Sequence, residues 1–190
     1  QLPESWLLLA NSQYELGDYK EALSALNQFE SLSQDKDSLA QAYIVRINVL
    51  IKMNRLDDAS ASLAKLQQSD LAPLVIAEAT FQLAEMNYAR QNWEEAQKQY
   101  QQILQLKLDD EWTIKTLSAL GWSYFEDGKF DEAVASFEKL KKQFPNAKQV
   151  AADAGYRQGM ALLKANQNLK AAEAFMQTAQ SFRSSEETTQ

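Results

Sequence analysis

The side chains that could do chemistry in this chain are few. The densest acidic cluster is Asp109-Asp110-Glu111. Carboxylates so grouped can serve acid–base work or hold a divalent cation through oxygen. This cluster stands directly before Trp112 and a run with helical spacing. Its expected task is therefore structural: capping a helix start and complementing the dipole there. The densest cationic stretch, Lys139, Lys141, Lys142 and Lys148 with Glu138 beside it, reads as the solvated face of a helix. Histidine and cysteine are both absent from the sequence. That removes disulfides, thiol nucleophiles, thiolate metal sites and the side chain best suited to proton transfer near neutral pH. No glycine-rich phosphate loop, nucleophile elbow or metal-ligand spacing occurs. Catalysis, a bound metal and a cofactor are not expected.

Composition narrows the rest. Of 190 residues, 45% are apolar and 24% charged, with a net charge of −7. The acidic balance argues against a nucleic-acid partner, which calls for a basic stripe. Five glycines and three prolines are too few for the turns of a sandwich or barrel. The dominant residue types are strong helix formers. No apolar run reaches membrane-spanning length, so membrane insertion is not expected. The absence of cysteine suits the cytoplasm and an oxidising envelope compartment alike. A start at Gln1 rather than Met is expected of a processed chain or of part of a longer one.

The elements that carry these side chains repeat. Tyr19-Lys20-Glu21-Ala22, Leu56-Asp57-Asp58-Ala59, Trp93-Glu94-Glu95-Ala96 and Phe130-Asp131-Glu132-Ala133 keep their alanines 37 residues apart. Leu26, Leu63, Tyr100 and Phe137 follow in register, and Ala10, Ile47, Ala84 and Gly121 precede in register. A looser fifth copy carries Gly159, Ala171 and Phe175, displaced by one residue. Each copy reads as two helices. In the first, Trp6, Leu9, Ala10 and Gln13 share one face, Gly17-Asp18 break the helix, and Tyr19, Ala22, Leu26 and Phe29 form the second stripe. The small residue of the first helix is expected to meet the alanine of the second. Acidic residues open the second helices, and Pro3, Pro73 and Pro145 fall at junctions between copies.

The fourth copy, Leu117-x-x-Leu120-Gly121-x-x-Tyr124, Ala133-x-x-x-Phe137 and Pro145, resembles the tetratricopeptide signature, with Leu for the leading Trp. The first copy supplies that Trp as Trp6-x-x-Leu9-Ala10 and adds Gly17-Asp18-Tyr19-x-x-Ala22. The resemblance spans roughly residues 3–185. It departs in period, which is about 34 residues in the family, so longer helices or looser junctions are implied here. Sel1-like relatives also have longer periods, but their glycine-bearing loop between the helices is missing. The resemblance implies an all-α fold: an α-solenoid of about five helix pairs in a right-handed superhelix. As one domain, 1–190, its repeats would fall near 3–36, 40–73, 77–110, 114–147 and 152–185. The tail turns polar from Ser184, and 186–190 are expected to be disordered. Gln177, Gln180, Ser181 and Arg183 would give the last helix a polar outer face.

In the family the first helix of each pair lines a concave groove. Projection places Leu7, Asn11, Tyr14, Ile44, Asn48 and Ile51 there from the first two copies. The third offers Phe81, Glu85 and Tyr88, the fourth Ser118, Trp122 and Phe125, and the fifth Tyr156 and Met160, with Leu163 at the edge. Uncovered, these form an apolar, aromatic trough of the kind that receives a peptide or partner helix. The alternative is packing: Tyr14 and Tyr88 stand one residue beyond the family's packing tyrosine, where Gln13 and Asn87 lie, and a local shift would swing them inward. Trp122 is the strongest candidate, because Leu120 and Tyr124 serve the core face beside it. A carboxylate-clamp groove needs cations that Leu7, Glu78 and Gln82 do not supply. Self-assembly into a homo-oligomer, through the end helices or the groove, is the alternative function. Finally, Phe144-Pro145-Asn146 with Val150-Ala151-Ala152-x-Ala154-x-Tyr156-x-x-Gly159 resembles the inter-repeat join of bacterial envelope proteins, which implies a periplasmic location.

Overall fold

The computed structural model describes residues 2–69 and 71–186, with side chains as far as Ser181. All of its elements are helices, and they follow one another along the chain as a first and a second helix of each of the five repeats. These are α1 (Pro3–Leu16) with α2 (Tyr19–Leu32), α3 (Lys36–Lys52) with α4 (Leu56–Leu66), and α5 (Pro73–Ala89) with α6 (Trp93–Gln105). The last two are α7 (Asp110–Glu126) with α8 (Phe130–Gln143), and α9 (Lys148–Lys164) with α10 (Asn168–Glu186). The chain divides into two compact units, Gln1–Ala89 and Arg90–Gln190. In the first, successive helices from α1 to α5 pack on one another, and in the second those from α6 to α10 do so.

The extra residues of the period lengthen the first helices. α3, α5, α7 and α9 each have 17 residues, against 14 in α1. Pairs two to five accordingly open about four residues before the repeat starts placed by the motif, at Lys36, Pro73, Asp110 and Lys148 rather than at 40, 77, 114 and 152. At the other end α10 continues through Ser184–Glu186, where the polar tail was expected to begin. Residues 187–190, the rest of that tail, lie outside the described residues.

Every second helix places its repeat alanine fourth: Ala22, Ala59, Ala96, Ala133 and Ala171, all fully buried. At two of the first helices the small residue is a glycine that lies against the aromatic residue of the second helix. A Cβ added to Gly121 would lie 2.6 Å from Cε1 of Phe137, and one on Gly159 would lie 2.5 Å from Cε1 of Phe175. The aromatic residue one turn beyond the alanine reaches into the gap that the missing Cβ leaves. Around these contacts the apolar faces close. Ala25, Leu26 and Phe29 of α2 cluster with Ala10 of α1 and Ala42 of α3. Leu117, Phe137, Leu140, Ala154 and Ala161 do the same across α7, α8 and α9. Burial of each large side chain contributes about 1.5–3 kcal/mol.

The turn inside each pair repeats as well. Gly17, Asn54, Gln91, Gly128 and Asn166, each five residues before the repeat alanine, have φ of 83°, 61°, 63°, 77° and 60°. The following N–H reaches back five residues, as in Asp18 to the Gln13 carbonyl at 2.8 Å and Lys129 to the Tyr124 carbonyl at 2.9 Å. This left-handed C-terminal closure suits glycine and tolerates asparagine. Glutamine at 91 is the least suited of the five.

Helix starts follow expectation. Asp109 accepts from the Trp112 N–H at 2.9 Å, with Asp110 and Glu111 in the first turn. Pro3 and Pro73 open α1 and α5, and Pro145 lies between α8 and α9. Lys142 pairs with Glu138 at 2.7 Å across one helical turn, in keeping with a solvated cationic face. Buried Gln97 of α6 joins the α7–α8 turn by donating to Asp127 at 3.0 Å and accepting from Lys129 at 3.2 Å. Lys129 also meets Asp127 at 2.6 Å.

Two measurements check this account. Gly128→Ala should lower the unfolding free energy by about 1 kcal/mol, while Gln91→Gly should raise it by up to about 1 kcal/mol. Urea denaturation reads both. A Cβ at position 128 meets nothing within 4 Å, so any loss there is a backbone effect. The second concerns pH. The Lys129 hydrogen bond chiefly holds the Asp127 carboxyl below the usual aspartate range, with a smaller contribution from Gln97, against a raising effect of burial. Asp127 therefore contributes stability that is present above the ordinary aspartate pKa and is lost as pH falls through its lowered folded value. Asp127→Asn should flatten the acid limb of a plot of thermal midpoint against pH.

Candidate functional site

None of the residues projected onto the first-helix face is fully buried. Asn11, Glu85 and Tyr156 are exposed, Tyr156 at 54%. Leu7, Tyr14, Ile44, Asn48, Ile51, Phe81, Tyr88, Ser118, Trp122, Phe125 and Met160 are half-buried. The residues just inside them, Ala10, Ile47, Ala84, Gly121 and Gly159, are buried. In the first unit α1 meets α3 and α3 meets α5, so the candidates from the first three pairs lie on successive touching helices. In the second unit α7 meets α9. Tyr14 and Tyr88, the two for which an inward shift was considered, are both half-buried. Asn87 takes the buried place and Tyr88 stays half-buried outside it. Tyr14 instead tilts against Tyr19, ring centres 6.1 Å apart.

Several candidates also belong to the packing. Leu7 rests on the α1–α3 cluster. Trp122 and Phe125 rest on the α7–α9 cluster and stand edge to face with each other at 5.2 Å. Trp122 further meets Phe137 edge-on at 6.1 Å, and Phe125 meets Phe130 at 5.6 Å. Trp122 is thus a wall of the helix contact as well as a surface ring. The guanidinium of Arg157 sits 4.6 Å from the Trp122 ring centre, and its Nε donates to Asp153 at 2.6 Å. Such cation–π contacts contribute about 0.5–2 kcal/mol.

Sequence reasoning passed over Arg157, which lies in an unassigned position of the junction motif. Its signal was Asp153 four residues earlier, a spacing that pairs charges along a helix. Asn11 uses its amide nitrogen on the Leu7 carbonyl at 3.0 Å.

The cavities lie elsewhere, and they recur. One of about 600 Å³ opens between α8, α9 and α10, bordered by Val134, Glu138, Lys141, Gln158, Leu162 and Ala174. A second of about 390 Å³ opens between α2, α3 and α4 at the same repeat positions: Leu23, Asn27, Glu30, Arg46, Leu50 and Ser62. Both are bridged internally, by Lys141 to Gln158 at 3.2 Å and by Arg46 to Glu30 at 2.7 Å. Neither includes a residue of the proposed face.

Three family models match the chain, all described as tetratricopeptide repeat, over residues 4–32, 75–143 and 118–186. These are tetratricopeptide repeats. Solved structures with the same fold include MamA, at 17% identity and TM-score 0.61, covering 94% of this chain and 91% of that one. BtubC (BKLC) from P. vanneervenii matches at 20% identity and TM-score 0.58, covering 96% and 80%. YrrB, described as a TPR protein with an unusual peptide-binding site, matches at 19% identity and TM-score 0.59, covering 93% and 84%. Identities this low establish the fold alone. No curated protein sequence matches the chain. Among the described residues no helix is long and apolar enough to cross a membrane, and no acidic cluster has the arrangement of a metal site.

The packing separates residues usable as binding probes from those that hold the fold. Trp122→Ala should lower the unfolding free energy by about 2 kcal/mol through lost core contacts. Tyr156→Ala should cost less than about 1 kcal/mol. Thermal denaturation followed by circular dichroism distinguishes the two.

Proposed function

We propose that this repeat protein is an interaction scaffold that holds a peptide or partner helix along the face of its first helices. The observation carrying this reading is that all fourteen residues projected onto that face are exposed or half-buried, although ten of them are large and apolar or aromatic. Polar Asn11, Asn48, Glu85 and Ser118 are set among them. An asparagine amide offers both donor and acceptor to an extended backbone, while the half-buried rings supply apolar contact. In the second unit the usable surface is Tyr156, Met160 and the Arg157–Trp122 stack. There a partner carboxylate could replace Asp153 on Arg157.

Support from a relative is limited to YrrB, whose description includes a peptide-binding site on the same fold. A place in a bacterial envelope assembly belongs to the same proposal and rests on the Phe144-Pro145-Asn146 junction motif.

Photo-crosslinking tests the proposal. A benzophenone amino acid is placed at Asn11, Asn48, Glu85 or Tyr156, and at the exposed second-helix positions Gln28 and Lys98 as controls. Adducts with a common partner from the first-helix positions alone are expected. Equal adducts from the controls, or none from the face, would refute it.

A further inference from the structure

The two cavities beside the second helices stand at matching repeat positions but carry their charges differently. Leu23 and Leu50 in the first unit correspond to Val134 and Leu162 in the second, so each cavity has an apolar lining. In the first unit every cation on the wall is answered within the protein. Arg46 meets Glu30 at 2.7 Å and Asn27 at 2.8 Å, and Arg55 meets Asp58 at 2.7 Å. Lys65 stands 5.3 Å from the ring centre of Tyr43.

The second unit breaks these pairs. Glu30 corresponds to Lys141, Arg46 to Gln158, Arg55 to Gln167 and Asp58 to Lys170. Lys141 donates to the amide oxygen of Gln158 at 3.2 Å, and Lys170 to that of Gln167 at 2.9 Å. The carboxylates around the cavity are committed elsewhere or open to water. Glu138 is taken by Lys142 at 2.7 Å, Asp131 accepts from the Gln167 amide at 2.9 Å, and Glu173 is exposed. Among the described residues, no carboxylate forms an ion pair with Lys141. Lys170 is exposed, where water screens its charge. Lys141 is half-buried, and its Cδ lies 3.5 Å from where a Cβ on Gly155 would stand. An ammonium partly withdrawn from water and facing only a neutral amide has the most to gain here from an anion.

The shape suits a chain. The α8 wall runs from Asp131 to Lys142, about 16 Å at the helical rise. An extended segment covers that length in about five residues. The volume of about 600 Å³ falls within the ~300–1,000 Å³ usual for ligand sites. Among the described residues, the amide nitrogen of Gln158 and both polar atoms of Gln177 have no protein partner. Such amides can donate to and accept from a peptide backbone.

We infer that this cavity is a second binding site, which takes a short extended segment of a partner protein with an acidic side chain on Lys141 and apolar side chains against Val134, Leu162 and Ala174. A basic segment would instead bring like charge to the one half-buried cation of the cavity. The site shares no residue with the first-helix face, so either can fail without the other.

Amide-proton NMR titration of the whole chain with capped pentapeptides tests it. The probe alternates leucine and aspartate, and versions with asparagine or lysine in place of aspartate are the controls. The aspartate peptide should shift the side-chain amide signals of Gln158 and Gln177 and the backbone signals of Leu162 and Ala174. Its affinity should fall as salt is added. Lys141→Met keeps the apolar stem and removes the charge. It should weaken the aspartate peptide by about fivefold or more, leave the asparagine peptide unchanged and leave circular dichroism unaltered. Lys141→Arg, which keeps the charge, should retain binding. Equal affinity for the lysine peptide overturns the proposal, as does undiminished binding to Lys141→Met. Shifts confined to the first-helix face, at Trp122 and Tyr156, or no shift at millimolar peptide, overturn it as well.

Discussion

In the last two repeats the packing of the two helices depends on one steric arrangement: a glycine in the first helix, and a phenylalanine of the second helix filling the space its missing side chain leaves. At Gly121 and Gly159 the fit with Phe137 and Phe175 is tight enough that a methyl group would collide. With that contact made, two helices come close enough to share one apolar face, yet still leave another face uncovered. A single pair cannot bury both, so each pair needs the next. The stacking of α2 on α3 and of α8 on α9 follows from that shortage of cover rather than from any special attraction at the junctions.

The fold was legible because the pattern of alanine and large apolar residues recurs at a fixed interval. Ala22, Ala59, Ala96 and Ala133 announce it 37 residues apart, and the helices place each of them fourth. Less legible was what the small residue touches. Gly121 and Ala133 look like natural partners in sequence, but the nearest atoms to the missing Cβ of Gly121 belong to Phe137. The three surplus residues could have gone into helix or loop. They extended the first helices, since Lys36–Leu39 and Asp110–Thr113 contain nothing that would break one. Gln91 was invisible as a turn former. Glutamine has no preference for positive φ, yet it adopts φ 63° at the position that glycine or asparagine holds in the other repeats.

The candidate face was legible in outline and not in detail. Projection on a helix predicts which side a residue faces, and none of the fourteen candidates is fully buried. It cannot predict that Arg157 covers the Trp122 ring, since that contact joins α7 to α9 across 35 positions of sequence. Nor does it separate Tyr156, largely open, from Phe125, which is wedged between Trp122 and Phe130. The distinction matters for chemistry. A ring that props up the core offers a partner only its edge, while an open one offers a whole face.

The left-handed residue that closes every first helix has a consequence for the history of the chain. Because Gly17, Asn54, Gln91, Gly128 and Asn166 adopt one backbone geometry at one position of the unit, the turns are interchangeable. A gene cut at one of them and rejoined at another would gain or lose a whole helix pair and still present each helix with a fitting neighbour. Unequal recombination between such seams lengthens or shortens the array without inventing a new bend. The single residue that sets α9 a step out of the common spacing falls between Gln143 and Lys148, in the connection between pairs and not within one.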